Sequence, residues 1–100
     1  MSSTLRFAQA VRTVSESARL QGLQVPMFRT PPRAAGAVRT LRRTRRGPVV
    51  AVVVADRPWV NVLADMVDGV VAANRLAGGP AIRCRTALWS ALERDEVLAA

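Results

Sequence analysis

The stretch Pro48–Ala55, Pro-Val-Val-Ala-Val-Val-Val-Ala, constrains the fold more than any other part of the chain. β-Branched side chains pack well on a pleated surface and lose rotamer freedom in a helix. An apolar residue at every position, rather than at alternate ones, suits a strand covered on both faces. This segment is therefore expected to be the central strand of a sheet. Val38–Thr44 precedes it, and Arg45-Arg46-Gly47 supplies a short connection whose glycine can take positive φ. The two segments read as a β-hairpin. Period-two alternation places Arg39 and Arg43 on one face of the leading strand and Arg42 on the other, which predicts an exposed or edge strand.

Upstream, Leu23–Thr30 alternates weakly, and Pro26 lacks an N–H, so an edge strand or extended segment is expected there. Pro31-Pro32 ends it. Phe7, Val11, Val14 and Ala18 recur at helical spacing between Leu5 and Gly22, with Ser2, Ser3 and Thr4 as possible N-cap residues and Gly22 as the stop.

Downstream, Asp56 followed by Arg57-Pro58 suggests an N-cap and a first-turn proline, and a second helix is expected to run to Leu76. Trp59, Leu63, Met66, Val67, Val70 and Val71 cover most of its circumference. Gly69 within it costs about 1 kcal/mol against alanine and so marks close packing. Gly78-Gly79-Pro80 interrupts the chain. A last helix from about Pro80 to Leu98 is expected to bury Ile82, Leu88, Trp89 and Leu92. Glu93, Asp95 and Glu96 oppose the helix dipole in its final turns, where fraying is expected.

The expected fold is a single α+β domain over residues 1–100. Its order is α-β-β-β-α-α, with a small three-stranded antiparallel sheet and helices packed on one face. The apolar surface of the Pro58–Leu76 helix exceeds what a thin sheet covers, so a homodimer through that helix is a further expectation.

Charge is distributed unevenly. All 15 basic residues are arginine, and the formal net charge is +8. Residues 1–55 carry ten arginines and one acid, Glu16; residues 56–100 carry five arginines and six acids. Seven arginines fall between Arg29 and Arg46, where no acid occurs. Arginine with alanine and valine but no lysine is what codon bias in a GC-rich genome would produce, and a bacterial source is expected. Codon usage does not explain the missing acids. An uncompensated cluster of this density calls for a polyanion. Arg29, Arg33, Arg39, Arg42, Arg43, Arg45 and Arg46 are accordingly the expected nucleic-acid contacts. The alternative partner is an acidic protein surface, as for an adaptor within a transcription or translation assembly. Phe28 is the only aromatic residue near the cluster in sequence, which gives little support to stacking of unpaired bases.

Catalytic chemistry finds few residues. Histidine, lysine and tyrosine are absent, which removes the commonest general base and metal ligand. Asp65 and Asp68 share a helix face, but no third ligand is evident unless Asp56 approaches, and they read as a solvated polar stripe. Cys84 lies between Arg83 and Arg85, which would favour thiolate, but a small buried apolar residue is the simpler reading. A single cysteine also rules out an intrachain disulfide and suits a reducing compartment. Gly78-Gly79-Pro80 lacks the spacing of a phosphate-binding loop. No long apolar stretch follows Met1, and the Pro58–Leu76 run contains Asn61, Asp65 and Asp68, so neither a secretory leader nor a membrane span is expected. The expectation is a small, non-catalytic, cytoplasmic binding protein with no cofactor and no metal.

Overall fold

The computed structural model describes residues 3–31 and 40–99. In chain order the elements are α1 (Ser3–Leu20), β1 (Met27–Arg29), β2 (Thr40–Thr44), β3 (Gly47–Ala51), α2 (Trp59–Ala73) and α3 (Gly78–Arg94). This is a small α+β fold, and its three strands lie in the spatial order β1-β3-β2.

The sheet is mixed, not antiparallel as the sequence suggested. β2 and β3 form the antiparallel hairpin, with Arg42 opposite Val49 and Leu41 opposite Val50. β1 pairs with β3 in parallel, Phe28 beside Val50 and Arg29 beside Ala51. The reason is positional. A hairpin reverses direction once, so whichever edge of β3 is left receives β1 on the side away from β2. There the direction of β1 is set by the connection, not by a turn. The Val52 N–H donates to the Arg29 carbonyl at 2.8 Å and extends this parallel ladder by one step.

The hairpin connection is tight. Arg45 and Arg46 keep negative φ, and Gly47 takes φ +115°. The Thr44 hydroxyl accepts from the Arg46 N–H at 3.2 Å and donates to the Gly47 carbonyl at 3.0 Å, fixing the turn from inside.

α2 lies against the sheet through its glycine. A Cβ at position 69 would sit 2.8 Å from Val50 Cγ1 and 3.0 Å from Val50 Cγ2, closer than side chains tolerate. Only glycine lets the helix come this near. The Val50 side of the sheet is therefore its inner face. Val50 and Val52 are fully buried there with Val62, Leu63, Met66, Val67 and Val70 of α2. α1 and α3 pack on α2 and on each other. They add Ala10, Val14 and Ala18 from one side and Ala81, Cys84, Leu88 and Leu92 from the other. The apolar surface of α2 that suggested a homodimer is thus largely taken up by the chain's own core, with Val60 the exposed exception.

Two features of the helices depart from expectation. Asp56 does not cap α2. It takes φ +58°, and the N-cap position is Pro58, which lacks any capping side chain. Arg57 ties the helix to the segment after β3 by another route: its guanidinium donates to the Val53 carbonyl at 2.9 Å and pairs with Asp65 at 2.8 Å. Ile82 is 64% exposed rather than buried. α3 begins at Gly78, and Ala81, Cys84 and Leu88 form its buried stripe, which leaves Ile82 outside it.

The end of α3 is closed rather than frayed. Glu96 takes φ +59°, its N–H donates to the Glu93 carbonyl at 3.1 Å, and the Val97 N–H donates to the Leu92 carbonyl at 2.9 Å. This is the Schellman arrangement. It turns Val97 back into the core, where the Trp59 indole N–H donates to the Val97 carbonyl at 2.8 Å. The segment between α1 and β1 is held by Asn74, whose amide accepts from the Gln24 N–H at 2.8 Å and donates to the Gln24 carbonyl at 2.9 Å.

Candidate nucleic-acid interface

Strand alternation sorts the arginines. Register places Arg29 and Arg42 on the face opposite Val50, Arg42 beside Val49 on one edge strand and Arg29 beside Ala51 on the other. Arg43 pairs with Pro48 and points to the other side, at the margin of β2. Arg45 and Arg46 occupy the turn. All five are exposed. Arg33 and Arg39, expected in the same cluster, lie outside the described residues.

The outer face is basic because acids are placed elsewhere. Among the described residues, no carboxylate forms an ion pair with Arg29, Arg42, Arg43, Arg45 or Arg46. Among the described residues, ion pairs on or around the helices join Arg57 with Asp65 at 2.8 Å, Arg85 with Asp68 at 3.2 Å, and Arg94 with Asp95 at 3.6 Å. Asp65 and Asp68 are therefore held by arginines and do not form a paired carboxylate site. No group of three His, Cys, Asp or Glu comes together among the described residues in a way that could hold a metal ion.

The arginines border two depressions that share Val49, itself only 5% exposed. One, of about 390 Å³, is bordered by Met27, Thr44 and the guanidinium-bearing side chains of Arg29, Arg42, Arg45 and Arg46. The other, of about 610 Å³, adds Phe7, Phe28, Thr30 and Pro31 to Arg29, Arg42, Val49 and Ala51. Phe28 alternates with Arg29 along β1, so this cleft draws on side chains from both sides of that short strand. Phe7 comes from α1, and sequence reasoning placed it only in a core stripe. No sequence signal could have brought it to the arginines, because it lies far from β1 along the chain and the approach is made by helix packing.

Cys84 is buried in α3, and burial pushes its thiol above the ordinary range while the nearby Arg85 charge opposes the shift. The desolvated neutral thiol is a packing group. Arg6 stacks 4.3 Å over the Trp59 ring, and its enclosed Nη2 has no hydrogen-bond partner among the described residues. No described helix is long and apolar enough to cross a membrane. Compared with protein-family models, with curated proteins and with solved structures, the chain finds no match in any of the three.

Proposed function

We propose that this chain is a non-catalytic nucleic-acid-binding protein whose phosphate contacts come from Arg29, Arg42, Arg43, Arg45 and Arg46. The supporting observation is the segregation of charge. Five exposed arginines on the sheet and its turn lack carboxylate partners among the described residues, while Asp65, Asp68 and Asp95 pair with arginines elsewhere. Guanidinium groups recognise phosphate through planar, bidentate hydrogen bonds, and an unpaired cluster gains most from doing so. Arg33 and Arg39 belong to the same acid-free stretch of sequence and extend the charge available.

The test is an anisotropy titration of the nuclease-treated protein against labelled oligonucleotides over a salt series. With about five phosphates neutralised, log affinity should fall with log salt at a slope of about −4 to −5 for a duplex and nearer −3.5 for a single strand. Replacing Arg42, Arg43, Arg45 and Arg46 by glutamine should weaken binding across sequences and flatten the slope by about one unit for each arginine–phosphate pair removed. An acidic protein surface is the competing occupant. Absence of nucleic-acid binding at physiological salt would overturn the proposal in favour of that partner.

A further inference from the structure

Two phenylalanines and two arginines line one cleft, and this pairing of chemistries goes beyond phosphate binding. We infer that the cleft of about 610 Å³ beside β1 takes an unpaired nucleobase, so that the preferred ligand is a single strand. The inference rests on the nucleic-acid reading above and narrows it to a substrate class.

The volume lies within the range of small-ligand sites, and the cleft is open to solvent on one side. Phe7 and Phe28 are half-buried, anchored on the core cluster yet bordering the cleft. Pro31 and Val49 continue the apolar lining, and Arg29 and Arg42, on the opposite face of the sheet from Phe28, bring exposed charge to the same cleft. A ligand that satisfies both parts carries a flat apolar ring together with an anion. A nucleotide has this composition. Within a duplex the base faces are stacked and inaccessible, whereas a single strand can turn one out against an aromatic side chain. Base–aromatic packing tolerates any base, so little sequence preference is expected. The arrangement was hidden in the sequence because Phe28 stood alone there and Phe7 is supplied by a distant helix.

The test compares the unmodified protein's affinity for an oligothymidylate, for an abasic strand of equal length and charge, for a matched duplex and for thymidine monophosphate, at one salt concentration. The base-bearing strand should bind about tenfold tighter than the abasic one, the effect of about one stacked base. Phe28→Leu and Phe7→Leu keep apolar volume while removing the ring, and each should erase that ratio without changing affinity for the abasic strand. Equal binding of base-bearing and abasic strands, with the salt slope intact, would overturn the base site and leave the phosphate interface standing. A monophosphate that binds as tightly as the strand would assign the cleft to a free nucleotide and overturn the strand preference. Failure of every ligand to bind would overturn both readings.

Discussion

Gly69 is where α2 comes closest to the sheet, and a single methyl group there meets the side chain of Val50. Two opposing effects decide what Gly69→Ala does. Alanine gains about 1 kcal/mol in helix propensity. Forcing a methyl to within 2.8 Å of Val50 Cγ1 obliges buried, β-branched neighbours to move, an overpacking that costs about 1–3 kcal/mol. Val50 is fully buried with little room to retreat, so the cost wins and a net loss of up to about 2 kcal/mol is expected in urea denaturation. Trimming Val50 to alanine in the same background should cost less than in the parent, because the clash goes with it. Strict additivity of the two changes would show that the clash is not the cause. At this scale the sequence was informative. A glycine inside an apolar helix signals close approach, although not which residue is approached.

Helix ends carry the next level of information. α1, α2 and α3 each finish with a residue at positive φ: Gly22 at +73°, Arg75 at +53° and Glu96 at +59°. At each, a residue one further on donates back to the last turn: Leu23 to Ala18, Leu76 to Val71, Val97 to Leu92. Only the first of these was legible, because glycine advertises the left-handed conformation and arginine or glutamate does not. A side chain in that region costs about 1–2 kcal/mol. Arg75→Gly and Glu96→Gly should therefore raise the midpoint of thermal unfolding, with a gain of about 0.5–1 kcal/mol each after the entropy of glycine in the unfolded chain is counted. Gly22→Ala should lower it by a similar amount. The strands show the same limit. The β2–β3 hairpin was readable from two β-rich runs around Arg45-Arg46-Gly47, because its pairing is local. The parallel partner β1 is three residues long and meets β3 only across the chain that contains β2, which no local pattern encodes. Ile82 was misplaced for a related reason. Moving the start of α3 from Pro80 to Gly78 leaves the helical period unchanged, but the true buried stripe of Ala81, Cys84 and Leu88 is made of small and medium residues that hydrophobicity alone ranks below isoleucine.

Over the whole molecule, the sequence showed that the arginines were uncompensated but not how they were arranged. Register divides them between the outer face, the β2 margin and the turn, and helix packing brings Phe7 into their company. That same packing joins the two most distant helices. α1 lies against α3; the Gln9 amide donates to the Asp95 carbonyl at 3.3 Å and the Thr13 hydroxyl to the Asp95 carboxylate at 2.9 Å. During vectorial synthesis the first helix emerges long before its partner. The part of its apolar stripe that α3 covers must wait, exposed or held by a chaperone, until residues near Asp95 leave the ribosome. A fragment ending before Gly78 should accordingly lack hydrogen-exchange protection in residues 3–20, and protection should appear only when the chain extends through Val97. Folding of this chain is thus gated by its last helix, and nascent molecules stalled short of it are the ones that proteolysis will find.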